Sequence, residues 1–188
     1  MTEAADAEDA TGPSWLGGLL RIVDAVLYVG AAVGGLAALA LAGMLIVEVV
    51  TTSFLAYSQP WAVEYSAYLL GLVLFAGTGW TLGQGGHIRV EVLASALGPR
   101  GMRGLDLAGS AFGLVVSGFV ALALVRQAIR TAEIGSVSYF PSQTPLVYPQ
   151  TLLAVGFAFL FVAFLARIAR LLTGRPAEER TGLVGGIE

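Results

Sequence analysis

Few side chains in this 188-residue chain have chemistry to offer. Its one histidine is His87, it contains no cysteine, and its ten basic residues are all arginine. The carboxylates beside long apolar runs are Asp24, Glu48, Glu64 and Asp106; Glu91 lies in the short segment Gly86-His87-Ile88-Arg89-Val90-Glu91. Each chemistry needs a set of groups, and the sets are incomplete. Without cysteine there is no disulfide, thiolate metal site or cysteine nucleophile. A haem held by two histidines lacks its second ligand. Hydrolysis inside a membrane needs a nucleophile with a base, or a buried carboxylate pair; Thr78, Thr81, Ser110 and Ser117 have no such partner in their apolar runs. A small proton-coupled exporter needs a carboxylate at mid-depth, where an ionisable group marks function by default. None is present: Asp24, Glu48, Glu64, Asp106 and Arg126 all fall at the ends of apolar runs. Sodium coupling through the carbonyls of a broken helix stays open.

The elements that position these groups are membrane helices. Hydrophobic residues make up 56% of the chain and charged residues 12%, too few to coat a soluble globule of this size. A hydrocarbon core about 30 Å thick needs roughly 20 apolar residues at 1.5 Å each. Four runs suffice: 25–47, 65–86, 107–128 (uncharged over 107–125) and 149–170, the last starting at Pro149 because proline suits a first helical turn. The expected fold is therefore all-α, an integral membrane protein with a four-helix domain over 15–173. An acidic tail, 1–14, carries Glu3, Asp6, Glu8 and Asp9, and a second tail covers 174–188; both read as disordered. Ala40-Leu41-Ala42 resembles a signal cleavage site, but the acidic tail before it and the length of the run argue for retention.

Arginine placement orients the spans. One side holds Arg21, Arg89, Arg100, Arg103, Arg167, Arg170, Arg175 and Arg180; the other holds Arg126 and Arg130. The richer side faces the cytoplasm, which predicts N-in, C-in topology in a bacterial inner membrane. These arginines border apolar spans instead of lining a soluble face, so nucleic acid is not a partner. Trp61, Tyr65, Tyr139, Phe140 and Tyr148 suit the opposite headgroup zone. Residues 15–23, apolar but for Arg21 and followed by Asp24, read either as a short interfacial amphipathic helix or as the start of span 1. Gly30 and Gly34, Gly79 and Gly83, and Gly109 and Gly113 form small-xxx-small pairs that let helices approach closely, within the chain or against a partner.

The segment 85–93 alternates polar His87, Arg89 and Glu91 with apolar Ile88, Val90 and Val92. It fits a short extended piece or an interfacial helix. In either, the planar fork of Arg89 suits a lipid phosphate or a partner carboxylate, and His87 or Glu91 can bond a neighbouring chain. The order of Glu64, an apolar span, Gly86-His87-Ile88-Arg89-Val90-Glu91 and then Pro99-Arg100 resembles the small membrane (Q) subunit of tripartite ATP-independent periplasmic (TRAP) transporters, the DctQ-like family, over roughly residues 45–173. Pro145, Pro149 and Gly156 resemble that family's prolines before helix 4 and its early glycine. Glu91 stands where aspartate is common, and Val63 where a second acid is frequent.

The resemblance implies a non-enzymatic small permease subunit with no cofactor of its own. Its implied partners are a large multi-span permease subunit, where sodium coupling is expected, a periplasmic substrate-binding protein, and membrane phospholipids. The implied cargo is a small organic acid. Glu64 would then bond the large subunit or the docking binding protein, or stand exposed at the interface. The rival reading is a self-sufficient homo-oligomeric exporter or channel with a path lined by Thr78, Thr81, Gln84 and Ser117.

Overall fold

The computed structural model describes the backbone of residues 14–84 and 91–174, and the side chains of 15–84 and 101–174. The two tails, His87 and Arg89 lie outside the described residues. Glu91 is the first residue of a helix, but its side chain also lies outside them.

Five helices form: α1 (Ser14–Leu55), α2 (Ala62–Ala76), α3 (Thr78–Gly83), α4 (Glu91–Ile134) and α5 (Val147–Leu172). The fold is all-α; the one extended pairing among the described residues is an isolated Val137–Pro145 bridge. α2 and α3 run on as one span, Ala62–Gly83, so four helices are long and apolar enough to cross a membrane. They part at Gly77, whose φ of −86° and ψ of −15° stay right-handed. Just beyond it the hydroxyls of Thr78 and Thr81 donate back to the carbonyls of Leu74 and Gly77. Such back-bonding bends a helix, and glycine resists the bend least.

α1 is continuous from Ser14, so residues 15–23 are its first turns and not a separate interfacial helix. At 42 residues it is about 63 Å long, twice a hydrocarbon core. Its inward seam runs Leu27, Gly30, Gly34 and Ala37, all buried, then Leu41, Met44 and Glu48, half-buried. Steps of three and four alternate along it, the pattern of a left-handed helix crossing. Glycine is required at the closest approach: a Cβ on Gly30 would lie 2.7 Å from the Ala76 carbonyl oxygen.

α5 is central. It packs on α1, α2, α3 and α4, whereas α4 packs on α5 alone among the described residues. The four spans therefore form an open array instead of a closed bundle, and α4 is its free edge. Leu27, Leu82 and Ala163 form a buried cluster from α1, α3 and α5, flanked by Trp80, Phe159 and Phe164. Pro149 falls in the first turn of α5, where its missing N–H is one the helix cannot bond anyway.

Charges join the array at its arginine-rich end. Arg170, 8% exposed, donates to Asp24 at 2.6 Å, tying α5 to α1. Arg167 lies 3.7 Å from Asp106, and Arg103 donates to the Leu171 carbonyl, tying α4 to α5. The next charged residues towards the other end are Glu48 on α1 and Arg126 on α4. Asp24 to Glu48 and Asp106 to Arg126 span about 36 and 30 Å at helical rise, so two polar belts stand one hydrocarbon thickness apart.

Candidate functional site

At the loop end, opposite the Asp24–Arg170 pair, the polar residues organise the connections. α1 ends with Ala56 in the left-handed region, φ 51°, a conformation a non-glycine residue holds only when its surroundings impose it. Glu48 supplies the imposition: its carboxylate accepts from the Ser58 hydroxyl at 2.7 Å and the Gln59 N–H at 3.0 Å. α4 ends at Gly135, φ 68°, where the N–H groups of Gly135 and Ser136 both return to the Thr131 carbonyl, a glycine stop that satisfies the last turn.

The chain from Ser136 to Leu146 then folds into a narrow loop. Ser138 N–H donates to the Thr144 carbonyl, Leu146 N–H to the Ser136 carbonyl, and Gln143 N–H to the Phe140 carbonyl across the tip. Pro145 sits at the base, in the bridge to Val137, and its carbonyl accepts the N–H of Tyr148.

This loop docks on α2 through Glu64. The Glu64 side chain is 2% exposed. One of its oxygens accepts from Tyr68 at 2.5 Å, one helical turn away, and the other accepts from the Ser142 hydroxyl at the loop tip. Thr144 reaches the Tyr65 hydroxyl at 3.3 Å. Trp61, Tyr65 and Tyr68 stack edge to face along α2, centroids 6.2 and 5.8 Å apart. Among the described residues no arginine pairs with Glu64. A buried carboxylate needs hydrogen bonds, and here hydroxyls provide them. The carboxylate expected either at a partner or exposed at the interface is thus turned inward, holding the outer loop to the second span. Tyr139 and Phe140 remain exposed on that loop's surface, and Tyr148 in the first turn of α5.

Gly156 belongs to a helix contact. A Cβ there would lie 2.5 Å from Cβ of Phe75 on α2. Of the six glycines in small-xxx-small pairs, Gly30, Gly34, Gly79 and Gly113 face neighbouring helices, while Gly83 and Gly109 face open space. Among the described residues, the polar residues of the channel reading do not all meet within one copy. Thr78 and Thr81 bond their own helix carbonyls, and Ser117, 1% exposed, is on α4, which touches neither α2 nor α3 among the described residues. Tyr68 and Ser142 escaped the sequence reading. Tyr68 was signalled by its i+4 spacing from Glu64; Ser142 lies 78 residues away and gave no local signal.

A family model described as "Tripartite ATP-independent periplasmic transporters, DctQ component" matches residues 41–174. The chain belongs to the DctQ family. The match opens in α1 and closes just past α5, so it takes in Glu48, the Glu64 cluster and the Asp106, Arg167 and Arg170 side chains, while Asp24 precedes it. Membership makes the chain the small permease component of a TRAP transporter, a multi-pass membrane protein. No match was found among curated proteins or among solved structures.

Proposed function

We propose that this DctQ-family chain is a static scaffold for the large transport subunit of an importer of small organic acids. In this reading both termini are cytoplasmic, the loop end faces the periplasm, and a periplasmic binding protein delivers the cargo. Sodium coupling resides in the large subunit. Arg89, with His87 and Glu91, would meet lipid or partner at the cytoplasmic face.

One observation carries the reading: the buried and half-buried charged groups of the array tie its helices and connections together. Asp24–Arg170 and Asp106–Arg167 bind α5 to its neighbours at one end, and Glu48 and Glu64 fix the two connections at the other. Between them glycine-to-backbone contacts close the middle. Interfaces of this kind are bistable at best and do not slide continuously, which suits a frame against which another part moves.

Reconstitution tests this. Liposomes holding the chain alone are expected to show no uptake of any small carboxylate. Uptake should require both the large membrane subunit and the binding protein. Solute flux through the chain alone would favour a homo-oligomeric carrier or channel and remove the scaffold.

A further inference from the structure

α4 is the free edge of the array, and its outward face is regular. Phe112, Val115, Phe119 and Leu122 are all exposed and continue the same three–four stepping to Arg126 and Ile129. Arg126 and Arg130, both exposed, stand one turn apart at the loop end. Their Cβ atoms are thus about 6 Å apart on one helix face. Among the described residues neither guanidinium has an acid partner. Glu133, one turn further on, is exposed and bridges to neither. The other carboxylates described at this end, Glu48 and Glu64, already accept donors of their own chain. The pair is therefore the cationic spot of an end otherwise built from acids, hydroxyls and aromatic rings.

We propose that Arg126 and Arg130 hold the phosphate of a phospholipid in the leaflet at the loop end, with its acyl chains along the α4 face below. Depth supports it. Arg126 lies about 30 Å from the Asp106 belt at helical rise, which places both guanidiniums at the opposite headgroup level. Leu122, Phe119 and Val115 then descend about 6, 10 and 16 Å beneath Arg126, the reach of one leaflet. Charge complementarity decides the occupant: two planar forks one turn apart offer a phosphate several charge-assisted hydrogen bonds, and the apolar face below offers nothing polar to a competitor. The site is independent of the scaffold reading, since it rests on the free edge of α4 alone.

The test uses the full chain, extracted in mild detergent with whatever co-purifies, and native mass spectrometry. The probes are phosphatidylglycerol, diacylglycerol and inorganic phosphate. Phosphatidylglycerol is expected to stay bound, diacylglycerol to wash off, and excess inorganic phosphate to leave the bound lipid in place. R126Q/R130Q should weaken phosphatidylglycerol binding roughly thirtyfold, from about a fivefold contribution per arginine, while R126K/R130K retains most of it and reports that the fold is intact. Equal lipid binding by R126Q/R130Q and wild type would overturn the site, as would retention of diacylglycerol as strong as that of phosphatidylglycerol. Displacement by inorganic phosphate would make it a free-anion site. If R126Q/R130Q instead sheds a co-purifying protein with lipid binding unchanged, the face is a protein interface and the lipid assignment falls.

Discussion

Glu64 shows how a carboxylate can be both costly and useful in a membrane protein. Removing a donor from a buried acceptor costs the desolvation of the orphaned group, roughly 1–3 kcal/mol. Tyr68→Phe strips one oxygen of its partner without changing the ring, and Ser142→Ala strips the other. Each is expected to lower the thermal unfolding midpoint of the detergent-solubilised protein and to speed protease cleavage within 136–146. Unchanged midpoints with an equally protected loop would show that Glu64 does not hold the loop. The sequence placed Glu64 correctly at a helix end, where a surface group is the ordinary expectation. Its burial was not legible, because burial depends on Ser142, whose approach is set by the Gly135 turn and the loop hydrogen bonds.

At the scale of helices, close approach is local and specific. Gly156→Ala would drive a methyl into Cβ of Phe75; overpacking of this kind costs about 1–3 kcal/mol. Because the clash is with a Cβ, Phe75→Ala should not rescue it, and thermal melts of the single and double variants check this. Gly83→Ala and Gly109→Ala meet open space and should be neutral or slightly stabilising by helix propensity. The number and type of spans were legible, since uncharged runs of about 20 residues leave no other choice, although the break of the second span at Gly77 was not. Their ends were less so. α1 begins eleven residues before the uncharged run and passes through Arg21 and Asp24, because Asp24 is neutralised by Arg170, 146 residues away. α4 likewise begins at Glu91, sixteen residues before its uncharged run, and runs through Pro99.

For the whole molecule, the open array sets orientation and surface. The absence of cysteine allows single-cysteine mapping without background. Tyr139, fully exposed in the 136–146 loop, is expected as Tyr139→Cys to react with an impermeant maleimide on intact spheroplasts. Thr2→Cys and Thr181→Cys should react only after permeabilisation; the reverse pattern would invert the orientation drawn from the arginines. The same openness bears on biosynthesis. α5 is the fourth of the four described spans in chain order, yet it supplies Phe159 against Gly30 and Gly79, Phe164 against Gly113, and Arg170 for Asp24. Until the ribosome delivers it, Asp24 lacks its partner and α4 has no helix to pack on among the described residues, so the α1–α2 contact can form early while the docking of α4 must wait for α5. A message cut short before residue 147 would leave three inserted spans without their keystone, a natural substrate for membrane quality-control proteases.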